Sequence, residues 1–333
     1  MDRFIVGTGR CGSTLLSRML AESPETLSVF EFFNGLDATR RFAPGPVPGG
    51  EFAALLCAEQ PFVTAVLRRG YDVSEITYPF GDGSRYGRDD ALPWILVSML
   101  PRLAADPDTL YDDVMSFCDA LPPQAMADHC RDLFEWLAVR FDRRCWIERS
   151  GSSIDYLLEL CEVFPEARFL HIHRDGREAA LSMREHHAYR LPIALMYRPR
   201  GGPEETSEIL TALRADPSPE DPVSRILASR PPVEYYGRYW SDQVLRGARA
   251  WPTLGADRYQ SVRFEDLVRR PRETLGRIGA FFDIDPARDA WIERAASLVR
   301  GVPPTRFETL STEEQRALRA ACEPGRTRLG QPG

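Results

Sequence analysis

Residues 4–16 read Phe4-Ile5-Val6-Gly7-Thr8-Gly9-Arg10-Cys11-Gly12-Ser13-Thr14-Leu15-Leu16: an apolar run, a glycine-rich turn and the start of an apolar helix face. Strand, turn and helix in this order predict a phosphate cradle, because the first amides of a helix have no intrahelical partner and sit at the positive end of its dipole. The glycine spacing is that of a P-loop, G-x-x-x-x-G-K-[ST], but Ser13 stands where the lysine belongs and the cation comes earlier, at Arg10. All 42 Lys+Arg residues of the chain are arginine, so no distant lysine replaces the missing one. An ordinary ATPase or kinase is therefore disfavoured. Gly9, Arg10, Cys11, Gly12, Ser13, Thr14 and Leu15 read as an anion loop of another kind.

The same order recurs along the chain. Residues 3–7 predict a buried strand and 13–21 its helix, with Leu15, Leu16, Met19 and Leu20 as the apolar face. A second short strand is expected at 26–30, ending at Glu31. Cys145-Trp146-Ile147-Glu148 predicts a strand, followed by a Ser152-Ser153 cap and an amphipathic helix over 154–164 that Pro165 ends. Residues 168–173 predict a strand that turns at Asp175-Gly176 into a helix reaching about residue 187. Then come a long helix over 235–251, a strand over 258–263, a turn at 265–267, helices over 272–282 and 287–299, and an irregular tail after 319. Crossover spacing of this kind implies an α/β fold: a P-loop-like open parallel sheet flanked by helices. Residues 34–144 are helical and loop-rich, broken at 44–50 and 78–90, and predict a helical cap insertion. Residues 190–232, rich in Pro, Gly, Arg and Glu, predict a mobile excursion. The chain is read as one domain over 1–333, with its core in 1–33 and 145–300.

Composition narrows the partners. With 333 residues, 43% hydrophobic and 10% aromatic, the chain has ample material for a sizeable core. A net charge of −7 argues against a general binder of nucleic acid or anionic membrane, so any anion site is local. The first apolar segment is too short for a signal peptide, and no run of about 18 to 20 uncharged apolar residues predicts a membrane span. Cys11, Cys57, Cys118, Cys130, Cys145, Cys161 and Cys322 are odd in number and widely spaced, without C-x-x-C or zinc-spaced clusters. They predict reduced, mostly buried thiols in a cytoplasmic protein, and no metal site.

Arg174-Asp175-Gly176-Arg177, with Ser182 eight residues after Arg174 (182 − 174), suggests a second anion site. Arg174 ends a buried strand, at the ligand edge of an open parallel sheet, and Ser182 falls about two turns into the following helix. A solvated Arg-Asp turn with a helix-facing serine would give the same pattern. Two anion sites together imply a ligand with separated phosphates, such as a nucleotide phosphorylated at both ends of its ribose.

On these residues the chain resembles the sulfotransferases that use 3′-phosphoadenosine 5′-phosphosulfate (PAPS), and among them the tyrosylprotein sulfotransferase branch and its bacterial small-molecule relatives. Residues 9–15 are similar to their 5′-phosphosulfate loop, and Arg174 to Ser182 to their 3′-phosphate motif. Phe164-Pro165-Glu166-Ala167-Arg168-Phe169 is also similar, as is Val262-Arg263-Phe264-Glu265-Asp266-Leu267 with Arg270-Pro271. The resemblance implies PAPS as co-substrate, adenosine 3′,5′-bisphosphate (PAP) as product, a hydroxyl acceptor and no metal. It implies that Arg10 acts on the leaving group and that Glu31, 21 residues later (31 − 10), takes the acceptor's proton. Arg149 stands where the branch has a lysine that helps stabilise the sulfuryl group. Arg174 and Ser182 would hold the 3′-phosphate, and Arg306 would close over the cofactor phosphates.

Elementary chemistry supports these roles. A fixed cation stabilises charge growing on a leaving oxygen, and a hydroxyl attacking sulfur must lose a proton to a base such as a carboxylate. Phe30, Phe32 and Phe33 would set Glu31 beside apolar walls. The plainer readings are an exposed strand-end carboxylate at Glu31 and a surface arginine at Arg306. His171 and His173 alternate on a core strand and read as packing; His186 and His187 end a helix, with His187 a reserve base. Trp240 and Trp251 are read as core or adenine-side packing. The rival readings are a P-loop nucleotide kinase and a non-catalytic PAP-binding module. The acceptor is expected to be a small hydroxylated metabolite, lipid or sugar, and the all-arginine usage is compatible with bacterial specialised metabolism.

Overall fold

The computed structural model describes residues 1–81, 83–197, 203–287 and 290–331. Residues 198–202 of the expected excursion and 288–289 of the expected helix over 287–299 lie outside the described residues. The chain divides into two units: Met1–Leu56, Asp112–Asp175 and Gln243–Pro304 form the first, and Cys57–Tyr111, Gly176–Asp242 and Thr305–Gly333 the second.

The first unit carries the sheet. Among the described residues its strands are β1 (Arg3–Val6), β2 (Thr26–Phe30), β3 (Cys145–Arg149), β4 (Arg168–His173) and β5 (Tyr259–Arg263), in the order β2-β3-β1-β4-β5, each neighbouring pair parallel. β1 is central and buried along its whole length, as a parallel strand covered on both faces must be. Its side chains alternate between two layers. Phe4 joins an aromatic layer with Trp146, Phe164 and Phe169, at ring-centroid distances of 5.7, 4.9 and 5.5 Å. Ile5 joins an aliphatic layer with Ile147, Leu170, Leu16, Ile278 and Trp291. That second layer is supplied by the helices Ser13–Ala21, Pro271–Phe282 and Trp291–Ser297.

Because every strand runs the same way, the turns that follow them open at one edge, the usual ligand edge of such a sheet. The turns after β1, β2, β3, β4 and β5 begin with Gly7, Glu31, Ser150, Arg174 and Phe264. His171 and His173 share a face of β4, with ring centroids 5.4 Å apart, and the His171 Nδ1 lies 2.7 Å from the Tyr259 hydroxyl. Burial drives the His171 pKa well down and that of His173 down to about 4, which agrees with neutral packing groups.

The second unit is helical, with Pro61–Arg68, Trp94–Ser98, Gly176–Arg184, His187–Tyr197, Pro203–Ala212, Pro222–Ala228 and Thr312–Arg328. Much of the expected excursion is therefore helix. Pro203 and Pro222 begin helices, where proline's fixed φ fits, and Asp221 caps the second by accepting from Ser224 N–H at 2.8 Å. The tail expected to be irregular is the helix Thr312–Arg328, opened by a capping box of Ser311 and Glu314. The turn expected at 265–267 is a short helix, Phe264–Arg269. Ser152 does not cap the helix after β3. It is left-handed (φ 59°) with no capping bond, and a 3₁₀ turn, Ser153–Tyr156, precedes Leu157–Val163.

Candidate functional site

The loop after β1 is wound tightly by left-handed residues: Gly9 (φ 69°), Arg10 (φ 50°) and Gly12 (φ 95°). A Cβ on Gly7 would lie 2.6 Å from Cys11 Sγ and 2.8 Å from the Ile172 carbonyl, so the loop folds back on the sheet. Cys11 is fully buried in the aliphatic layer and leaves only its backbone to a ligand. The helix Ser13–Ala21 begins with the Leu16 N–H to Gly12 carbonyl bond at 3.1 Å and has no acidic residue in its first turn. The amides before Leu16 thus have no carbonyl partner within the helix's own ladder, and its first turn carries no carboxylate.

Gly12 meets two demands at once. Beyond its left-handed φ, a Cβ there would lie 2.1 Å from Cδ2 of Phe264. Gly12→Ala is expected to lower stability by about 2–4 kcal/mol, strain and ring displacement together. Gly45→Ala, equally left-handed (φ 79°) but with open space around the Cβ, isolates the backbone share. Urea midpoints check this: equal losses in the two variants would remove the steric argument.

Glu31 and Arg149 end neighbouring strands and meet. The Arg149 guanidinium pairs through Nη1 with Glu31 Oε1 and donates through Nη2 to Thr14 Oγ1, and it lies over the Phe30 ring at 4.4 Å. Both charged side chains are 3% exposed, so this is a buried ion pair and Glu31 is not a solvated strand end. Gly151 N–H donates to Glu31 Oε2 at 2.9 Å, and Glu31 N–H to the Arg149 carbonyl at 2.7 Å. The guanidinium expected to face a sulfuryl group is here committed to the candidate base and to a hydroxyl of the anion loop.

Next to Arg149 on β3 is Glu148, 1% exposed, accepting from Ser150 Oγ at 2.5 Å. Burial, reinforced by the nearby Glu31 charge, pushes its carboxyl up from 4.5 to about 8, against the pull of Ser150 and Arg149. Between those values the folded chain keeps a proton that the unfolded chain has lost. Stability therefore falls as pH rises from about 4.5 to about 8, by about 1.4 kcal/mol per pH unit from this group. Glu148→Gln should flatten that part of the stability profile, and an unchanged slope in the variant would contradict it.

Arg174, 9% exposed, follows β4 and places its guanidinium 4.9 Å from the centre of the Phe264 ring. Phe264 thus touches both the anion loop at Gly12 and the arginine of the second motif. Glu265 Oε1 accepts from Asp175 N–H at 3.1 Å, joining the turn after β4 to the helix after β5.

In the second unit, Ser182 is half-buried on the helix Gly176–Arg184. Arg306 is tied to that helix: its N–H donates to Glu178 Oε1 at 2.8 Å, its Nε to Oε2 at 3.4 Å and its Nη2 to the Glu178 carbonyl at 3.1 Å. Trp240 is fully buried, with a Cβ on Gly176 only 2.5 Å from its ring, so it belongs to the core. Trp251, in the first unit, packs at 6.0 Å from both His171 and Tyr259. His186 Nε2 lies 2.9 Å from Glu75 Oε2 and 3.0 Å from Ser74 Oγ, and the His187 ring sits 4.3 Å from Tyr71.

The first unit therefore brings together the glycine loop, Glu31, Arg149 and Arg174, while Ser182 and Arg306 belong to the second. Sequence reasoning passed over Ser150, Glu148 as a buried acid, and Phe264 as a platform. All three stand at or next to a strand's C-terminal end, and that position was the available signal. Among the described residues no group of three or more His, Cys, Asp or Glu is placed to hold a metal, and no helix is long and apolar enough to cross a membrane.

No family model and no curated protein matches the chain. Among solved structures it is similar to the sulfotransferase domain from the curacin biosynthetic pathway, at 12% identity over 99% of this chain and 98% of that one, with a TM-score of 0.49. It is also similar to the sulfotransferase domain from the Synechococcus PCC 7002 olefin synthase, at 20% identity over 96% and 86% of the two chains, with a TM-score of 0.46. The sulfotransferase STF1 from Mycobacterium tuberculosis H37Rv matches at 15% identity over 97% and 76%, with a TM-score of 0.42.

Proposed function

We propose that the chain is a PAPS-dependent sulfotransferase that moves the sulfuryl group from PAPS to a hydroxyl of a small molecule, lipid or sugar and releases PAP. The observation that carries this reading is the buried contact of Glu31, Arg149 and Thr14 beside a lysine-free anion loop: a base, a cation and phosphate donors at one sheet edge. The donor set suits the nucleotide's anionic end, since the helix's first amides, a threonine hydroxyl and Arg10 supply positive field without a carboxylate in the helix's first turn.

In this mechanism the acceptor oxygen attacks sulfur as the bond from sulfur to the 5′-phosphate oxygen breaks, and that oxygen keeps the electron pair. Arg10 and the amides of Gly9, Cys11, Gly12, Ser13, Thr14 and Leu15 stabilise the charge left on it. The acceptor's proton passes to Glu31. Arg149 is then released from its ion pair to face the sulfuryl oxygens, so proton uptake and charge stabilisation are linked. Arg174 is assigned the 3′-phosphate; Ser182 and Arg306 keep the roles that the sequence resemblance implies. Five of the seven cysteines are buried, as reduced packing thiols are, and a cytoplasmic location is part of this reading.

The test is a single-turnover assay with sulfur-labelled PAPS and a panel of hydroxylated acceptors, the expected result being label transfer with stoichiometric PAP. PAP binding without any transfer would indicate an idle binding module instead.

A further inference from the structure

The turn after β2 does not hold itself. Glu31, at its start, has φ 55°, a conformation that a side chain with a Cβ adopts only when its surroundings impose it. What surrounds it is the turn after β3. There Ser150 Oγ accepts from Phe33 N–H at 3.0 Å and from Asn34 N–H at 3.3 Å, and donates to Glu148 Oε1 at 2.5 Å. A hydroxyl has one proton, and the 2.5 Å contact with Glu148 Oε1 takes it, with the buried Tyr156 hydroxyl also beside Ser150. Ser150 and Glu148 are each 1% exposed, and the Glu148 carboxyl is itself a second hydrogen-bond partner of the buried Phe33 N–H, so the two side chains hold this amide together, while Ser150 alone reaches on to the exposed Asn34.

We infer that Ser150, oriented by Glu148, is a positioning residue that clamps residues 31–34 and thereby aims the Glu31 carboxylate. The carboxylate is thus fixed by the Arg149 ion pair, and the backbone that follows it by the Ser150 hydrogen bonds. Glu148 serves as an acceptor and need not be charged. Its isosteric amide, with the carbonyl oxygen facing Ser150, serves equally well, whereas a leucine removes the acceptor that position 148 offers to the Ser150 hydroxyl and to Phe33 N–H. The consequence for turnover rests on the proposed role of Glu31; the clamp itself does not.

Ser150→Ala, Glu148→Leu and Glu148→Gln test this by hydrogen exchange of the Phe33 and Asn34 amides, alongside single-turnover PAPS consumption and PAP affinity. Exchange at both amides should be about 10–100-fold faster in Ser150→Ala and Glu148→Leu and near wild type in Glu148→Gln. PAPS turnover should fall about 10–100-fold in the first two variants with PAP affinity within about twofold, a split that general unfolding would not produce. Unchanged exchange at Phe33 and Asn34 in Ser150→Ala overturns the clamp, and faster exchange with undiminished turnover overturns its link to Glu31. Wild-type protein that consumes no PAPS overturns the sulfotransferase reading instead, while the exchange data still decide whether the clamp exists.

Discussion

Arg149→Met should destabilise the folded chain by about 3–5 kcal/mol, because it leaves the Glu31 carboxylate buried without its counter-charge. Methionine keeps most of the apolar bulk over Phe30, so the loss reports chiefly on charge. The diagnostic part is the double variant. Adding Glu31→Gln removes the stranded charge, so Arg149→Met with Glu31→Gln should be more stable than the sum of the single losses by about 1–3 kcal/mol. Urea midpoints of the four proteins close the cycle. Additive losses would mean that the two side chains do not share an ion pair in solution, and the account of the base would lose its anchor.

The second large effect is on chemistry. Glu31→Gln preserves shape and can keep its one amide oxygen on Arg149, at the cost of the acceptor for the Gly151 N–H, but it cannot take the acceptor's proton. Sulfuryl transfer should fall by about 10²–10⁴-fold, the usual contribution of a general base, with PAP affinity changed only a few-fold. Arg10→Ala should also lose turnover, but with a larger effect on PAP, since its charge lies at the anion loop itself. Near-normal turnover in Glu31→Gln would move the base elsewhere, first to His187, whose ring rests on Tyr71 and whose pKa burial pushes down.

The sheet was legible because parallel strands write themselves as short apolar runs followed by turn residues. Phe4-Ile5-Val6, Cys145-Trp146-Ile147-Glu148 and Arg168 to His173 announce both the strands and the ends at which ligand residues sit. Arg174 could be singled out for the same reason, whereas Glu31 and Arg149 were singled out by the family resemblance. That Glu31 and Arg149 pair was not legible, because sequence order says nothing about which strands become neighbours; here 118 residues separate the partners across the β2–β3 ladder. The Ser150–Glu148 contact was hidden behind a motif that draws attention to the arginine between them. Prolines misled at 190–232, since the same residue that breaks a helix inside it favours one at its first position, as Pro203 and Pro222 show. The last helix was missed although Ser311 and Glu314 spell its capping box. The fully buried Trp240 needed the structure, because nothing in its sequence neighbourhood separates a core tryptophan from an adenine platform.

The central claim is that the chain holds a nucleotide bearing phosphates at both ends of its ribose. Calorimetry with PAP, ATP and adenosine 5′-phosphate, on the wild type and on Arg174→Ala, tests it most directly. The account predicts PAP binding at least about tenfold tighter than either other nucleotide, with that preference lost in Arg174→Ala. ATP binding as tightly as PAP, or a PAP affinity untouched by Arg174→Ala, would contradict it.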